Sequence, residues 1–375
     1  MSKPDFHSLA QPGIKGLKAY DPGLDLVALR RQAQEGGQFL VELGSNENSL
    51  GPSPRAREAM LECLHELHRY PDPMGGDLKL AIASCHGLGT DQIMLGNGSH
   101  ELLMMIAQVF AGPGNDVVVS QYGFAVYALA TQAAGAQLCV APAFPREHAM
   151  PRGHDLEAIR RLVSYRTRIV YLANPNNPTG TWFSSGELAA FLSDVPTGTL
   201  VVVDEAYHEY VTDPALPSAT RLLDAHPNLI VARTFSKAYG LAGLRLGFIA
   251  AHPELVAVME RVRESFNVNL PALAAAGAAI YDQDHIDWVR DQNAEARLLL
   301  AERLRERGLF VADSQTNFLL VDFGRDARSI EAALVERKVV PRPMGGYGLP
   351  TCLRITVGNI DENRRLMLAL DEILA

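Results

Sequence analysis

The chain has 375 residues, 47% hydrophobic and 21% charged, with 31 glycines and 22 prolines. That is roughly two and a half times the usual 150-residue domain, which excludes a small stapled module, and the apolar share excludes wholesale disorder. Thirty-four basic against 43 acidic side chains leave a formal charge of −9, which argues against neutralising nucleic-acid phosphate or anionic lipid as the main task, though a few placed cations can still hold an anionic small molecule.

In chain order, Met1–Ala10 carry no basic stretch followed by an apolar run, so a cytoplasmic protein is the expectation. The Pro- and Gly-rich residues 1–50 show little periodicity and are expected to form an arm joining a small domain. A large domain is expected over 51–283. Within it Gln92–Leu95, Asp116–Ser120, Gln137–Ala141, Arg168–Ala173, Thr199–Asp204, Asn228–Thr234 and Arg245–Ala250 read as strands. Several are apolar on both faces, as in a mainly parallel sheet covered by helices on each side. Ser99–Phe110 reads as a helix entered through the turn Gly96-Asn-Gly98. Leu270–Ile280 is interrupted by Pro271 and too short to span a bilayer. From 284 to 375 a smaller α+β domain is expected, with a long helix His285–Gly308, strands Asn317–Asp322 and Cys352–Val357, and helices Arg328–Arg337 and Asp361–Leu374. The fold class is thus α/β in three layers with a smaller α+β domain.

Cys63, Cys85, Cys139 and Cys352 form no C-x-x-C pair, and His65 and His68 lack further ligands, so no metal is expected. Gly96-x-Gly98 lacks the rest of a dinucleotide fingerprint. Three polar motifs follow predicted parallel strands, where open α/β sheets bind ligands. They are Asn174-Pro-Asn-Asn-Pro-Thr-Gly180, Asp204-Glu-Ala-Tyr207 and Thr234-Phe-Ser-Lys237, with Arg245 eight residues beyond Lys237. Singly, each has a bland reading as turn chemistry or a helix cap. Jointly they gather an amide, a carboxylate, a phenol, an amine and a guanidinium at one crevice. Pyridoxal phosphate needs that set: an amine for its aldehyde, a carboxylate for its pyridine nitrogen, donors for its phenolate, and hydroxyl, cation and backbone N–H groups for its phosphate. On the small domain, Leu353, Ile355 and Val357 alternate on one strand face, which turns Arg354 to the other, either as a solvated residue or as an anion fork.

The motifs Ser45-Asn-Glu-Asn-Ser-Leu-Gly-Pro-Ser-Pro54, Arg69-Tyr-Pro71, Tyr122-Gly-Phe124, Thr234-Phe-Ser-Lys237 through Gly243-Leu-Arg245 and Leu353-Arg-Ile-Thr-Val-Gly358 carry a resemblance. From about Gly16 onward the chain resembles the fold-type I pyridoxal-phosphate aminotransferases of the aspartate aminotransferase superfamily, and within them the histidinol-phosphate aminotransferases. The resemblance implies catalytic roles for Lys237, Asp204 and Tyr207. It implies cofactor contacts from Gly98, Ser99, Tyr122 (stacked on the ring), Asn177, Thr234, Ser236 and Arg245, with Tyr70 reaching the cofactor of a neighbouring subunit in a homodimer. Arg354, Arg342, Tyr20 and Asn46 become substrate contacts, and the implied reaction couples histidinol phosphate to 2-oxoglutarate in histidine biosynthesis. Related enzymes act on Phe and Tyr or decarboxylate threonine phosphate, and these are the alternatives. The chain departs from the family pattern in the turn Gly98-Ser99-His100, where an acidic residue is usual, and at Ser49, where Pro is usual.

Overall fold

The computed structural model describes residues 5–19 and 23–374; Tyr20, expected to assist Arg342, lies outside them. Among the described residues thirteen strands form three sheets: β1 (Val41–Glu42), β2 (Ile93–Gly96), β3 (Asp116–Ser120), β4 (Gln137–Ala141), β5 (Thr167–Ala173), β6 (Leu200–Asp204), β7 (Leu229–Thr234), β8 (Gly247–Ala251), β9 (Phe310–Val311), β10 (Phe318–Asp322), β11 (Val339–Val340), β12 (Arg342–Pro343) and β13 (Cys352–Thr356). The central sheet has the order β2-β8-β7-β6-β5-β3-β4, and only β8 runs against its neighbours.

Both faces of this sheet are buried, and the side-chain alternation shows it. Ile169, Tyr171, Leu200, Val202, Ile230 and Ala232 face one core with Leu102, Leu103 and Ile106 of the helix Ser99–Phe110. Val170, Leu172, Val201, Val203, Leu229 and Val231 face the other with Leu188, Phe191 and Leu192 of the helix Ser185–Asp194. Each Val, Leu, Ile or Phe among them taken out of water contributes about 1.5–3 kcal/mol, and a one-residue slip would exchange the two cores.

The second sheet, β12-β13-β10-β9, is antiparallel, and β1 pairs in parallel with β11. Residues 41–42 therefore join the chain's C-terminal elements across nearly 300 positions, and Leu43 shares a core with Leu319, Leu353 and Leu366. The helix Gln283–Glu306 runs between the two regions and sets Asn293 and Arg297 on the Thr316 carbonyl, at 3.1 and 2.7 Å.

Two expectations shift. The N-terminal stretch holds a ten-residue helix, Leu26–Glu35, capped by the Asp25 carboxylate on the Ala28 N–H. Arg245, placed at the start of a strand by its neighbours, instead has φ 54° in the left-handed region, and the strand begins at Gly247. Among the described residues no helix is long and apolar enough to cross a membrane.

Candidate active site

A crevice of about 340 Å³ opens at the carboxyl ends of β5, β6 and β7, between the two regions. The alternation that builds the two cores aims Asp204 and Thr234 into it, since they continue the rows Leu200–Val202 and Ile230–Ala232. Lys237 lies three residues past the end of β7.

At the crevice floor, Asp204 is buried, with one carboxylate oxygen accepting from the Tyr127 hydroxyl at 2.9 Å and the other from the Ala206 N–H at 3.1 Å. Burial raises its pKa to about 6, against the lowering effect of those two donors. A carboxylate in that state gains from any cationic N–H brought against it. Tyr127 is itself pinned by a stacked Tyr171 at 4.9 Å.

Lys237 Nζ donates to the Ser45 carbonyl at 3.1 Å and stands 5.7 Å above the Tyr207 ring. Burial, then the Arg354 charge, lowers the amine to about 7, so a large share is neutral near physiological pH. The buried Tyr207 hydroxyl accepts from Asn46 Nδ2 at 2.9 Å, and burial pushes it up to about 12, which keeps its proton in place as a donor.

One end of the crevice is built for an anion. The helix Ser99–Phe110 points its N-terminus there, and no side chain caps it. Its N-cap is Gly98 at φ 88°, where a Cβ would come within 2.7 Å of Arg245 Nη2. Gly247 gives the same turn room from below, since a Cβ there would meet the Ser99 nitrogen at 2.6 Å. Arg245 Nη1 donates to Ser236 Oγ at 3.2 Å, and Thr234, Ser99 and His100 complete the wall. Gly98→Ala is therefore expected to force Arg245 aside and to lower affinity for inorganic phosphate and for pyridoxal phosphate at least tenfold, as measured by equilibrium dialysis.

The other end carries two guanidiniums. Arg354 on β13 lies directly opposite Arg342 on β12, and both line the crevice. Like charges facing across an antiparallel pair repel. Arg354 Nη1 donates to Asn177 Oδ1 at 2.7 Å and Nη2 to the Gly44 carbonyl at 2.6 Å. These bonds tie the second sheet to the loop after β5, and the pair of cations suits an anionic ligand group. The backbone of Gly23 passes so close to Arg342 that a Cβ there would overlap Nη1.

The structure thus brings Gly98, Ser99, Asn177, Asp204, Tyr207, Thr234, Ser236, Lys237, Arg245, Asn46, Arg342 and Arg354 around one space. Two expected residues are elsewhere. Tyr122 packs its ring against Leu320, Met344, Leu349 and Cys352, and Phe124 takes the crevice wall in its place. The Gly123 turn between them lets one aromatic face each way. Tyr70 is 81% exposed and stacks on Phe266 at 4.6 Å, outside the crevice of its own chain. Sequence reasoning also passed over Tyr127, whose only signal was its position one helical turn after Phe124.

A doubly wound sheet with an amine, a buried carboxylate and an anion cradle at its strand ends defines an enzyme that handles amines and anions together. The chain belongs to the aminotransferase class I and II family, whose model matches residues 39–370. It is 46% identical over 371 residues to histidinol-phosphate aminotransferase 2 of Pseudomonas fluorescens, covering 99% of each chain. It is 45% identical over 377 residues to histidinol-phosphate aminotransferase 1 of Nitrosococcus oceani, covering 100% of this chain and 99% of that one. The crystal structure of histidinol-phosphate aminotransferase from Sinorhizobium meliloti in complex with pyridoxal 5′-phosphate superposes with a TM-score of 0.88 at 34% identity, covering 98% of each chain.

Proposed function

We propose that this enzyme moves an amino group between L-histidinol phosphate and 2-oxoglutarate, giving imidazole acetol phosphate and L-glutamate in histidine biosynthesis, with pyridoxal 5′-phosphate held in the crevice. The observation that carries this reading is the cross-strand Arg342–Arg354 pair facing Lys237, because a phosphate ester and a dicarboxylate are the anions such a pair accepts without regard to the central atom.

The residues fit the cofactor. The anion end, with Gly98, Ser99, Thr234, Ser236 and Arg245, takes its phosphate, Asp204 its ring nitrogen, Asn177 and Tyr207 its phenolate, and Phe124 one ring face. When bound, the cofactor supplies an aldehyde carbon for the amine nitrogen and a ring that withdraws electrons from the substrate Cα. The chain's own groups do the rest. Asp204 holds a proton at the ring nitrogen. Lys237 Nζ, lowered to about 7 by burial and Arg354, would carry the proton from the substrate Cα to the cofactor's aldehyde-derived carbon, and in the opposite direction in the second half-reaction. Arg354 and Arg342 orient the substrate anion, and Asn46 keeps the Tyr207 hydroxyl aimed into the crevice.

A biosynthetic role of this kind implies a cytoplasmic location. The exposed Tyr70–Phe266 stack supports a homodimer in which Tyr70 completes the neighbouring subunit's anion site. Mass measured by light scattering at twice that of one chain is expected.

The reading is tested by single-turnover spectroscopy. Histidinol phosphate should discharge the cofactor's visible band and release imidazole acetol phosphate. Discharge only by Phe or Tyr, or CO₂ release from threonine phosphate, would overturn it. Arg342→Ala should raise the Kd of histidinol phosphate at least tenfold, the size expected for a lost charged hydrogen bond, while changing that of Phe far less; titration calorimetry against both ligands measures the difference.

A further inference from the structure

On the face of the central sheet away from the crevice, three buried charges meet beneath the two segments that carry the site. Arg233 precedes Thr234 on β7 and Glu205 follows Asp204 on β6, so alternation turns both toward the opposite core. Arg233 Nη1 donates to Glu205 at 3.0 Å and Nη2 to Glu209 at 2.6 Å. The side chains are 4%, 3% and 7% exposed. Glu205 also accepts from Ser218 Oγ and the Ala219 N–H, at 2.7 and 2.6 Å.

The sequence positions give this cluster its meaning. Glu205 and Glu209 bracket Ala206, Tyr207 and His208, and Arg233 is the residue before the run that ends in Lys237. We propose that Arg233 is a positioning residue: by gripping both carboxylates with one planar fork it fixes the Asp204–Tyr207 segment against the Thr234–Lys237 segment. A fork can hold two carboxylates in fixed directions at once, whereas an ammonium holds a point. No step of the reaction passes through Arg233, and it touches neither ligand nor reacting atom. The cluster carries one positive and two negative charges. His86 and His208, which flank it, are held below the usual histidine range by burial; Arg221, Tyr210 and Tyr239 also stand around it, and Glu205 faces Asp204 toward the crevice. On the crevice side Lys237 faces Arg354, Glu47, Arg245 and Asp204.

The inference rests on the reading of the crevice as a cofactor site, and one holoenzyme experiment separates the two. Purified wild type and Arg233→Lys are loaded with pyridoxal phosphate, the visible band is titrated against pH, and kcat and KM are measured per mole of bound cofactor. For Arg233→Lys we expect kcat to fall at least tenfold with KM within about twofold, and the band's midpoint to move by about half a unit or more, because a positioning loss appears in the transition state and in the local field. Should Arg233→Lys fail to fold, Glu209→Gln, which keeps a neutral hydrogen bond but cuts one arm of the ionic grip, is measured in its place, with the same direction and a smaller effect. Equal kcat per bound cofactor with an unmoved midpoint would overturn the proposal and leave Arg233 a packing residue. A wild type that develops no visible band would instead overturn the cofactor reading.

Discussion

Lys237→Ala should lower turnover by roughly five orders of magnitude or more, because one amine both takes the aldehyde and moves the Cα proton, and the removal of a group with two roles is not compensated by its neighbours. Steady-state assays with histidinol phosphate and 2-oxoglutarate measure the loss. Borohydride treatment followed by mass spectrometry should fix cofactor mass on the wild type and none on the variant. The crevice should survive the change. Arg354 remains bonded to Asn177 and Gly44, Tyr207 to Asn46, and Arg245 to Ser236, none of them through Lys237. Phosphate affinity is therefore expected to stay within a few fold, which separates loss of chemistry from loss of fold. Stability carries its own signature. The amine is lowered in the folded chain from 10.5 to about 7, so between those values the unfolded chain binds more protons and cofactor-free wild type gains stability as pH rises. Lys237→Ala should lack that part of the slope in denaturant titrations at pH 7 and pH 10. Residual turnover near wild type, or a retained borohydride adduct, would remove Lys237 from its role.

Much of this site is legible in the sequence because its residues sit at the ends of strands that are themselves easy to read. β5, β6 and β7 are continuous apolar runs, a pattern that both-face burial forces, and the polar residue that ends such a run falls at the crevice. What stays hidden is decided by contacts distant in sequence. Arg245 sits before a run that reads as strand, and its left-handed backbone and the approach of its side chain to Gly98, nearly 150 residues away, emerge only in the fold. In Tyr122-Gly-Phe124 either aromatic can face inward, and the choice is made by Leu320, Met344, Leu349 and Cys352, which receive the Tyr122 ring. Arg233 reads as an ordinary strand residue until Glu205 and Glu209 are seen around it. The pairing of β1 with β11 joins short segments with no periodicity of their own, so their role in the second region depends on tertiary structure alone.

Asp204→Asn should separate function from stability more sharply than any other single change. Asn matches Asp in shape: its oxygen can still accept from the Ala206 N–H, while its amide donates to the Tyr127 oxygen and reverses that bond. It cannot hold a charge-assisted bond to a protonated ring nitrogen, and the ring's ability to withdraw electrons depends on that proton. A fall in kcat of about a thousandfold or more is expected from lost electrostatic stabilisation at a buried carboxylate. The effect on the cofactor-free protein has the opposite sign. Burial raises the carboxyl in the folded chain from 3.8 to about 6. Between those values the folded chain binds more protons than the unfolded one, so stability falls as pH rises through the window and stays reduced above it. The difference of roughly two units corresponds to about 2–3 kcal/mol of stability given up at pH 7. Removing the charge should return it, so cofactor-free Asp204→Asn should be more stable than wild type at pH 7 and about equal to it at pH 4. Denaturant titrations at both values measure the change. Adding pyridoxal phosphate should narrow or reverse the gap, since a cationic ring nitrogen against Asp204 restores the favoured charge pair only in the wild type. A variant less stable than wild type at pH 7 without cofactor would show that Asp204 is held for structure and would detach it from the ring nitrogen.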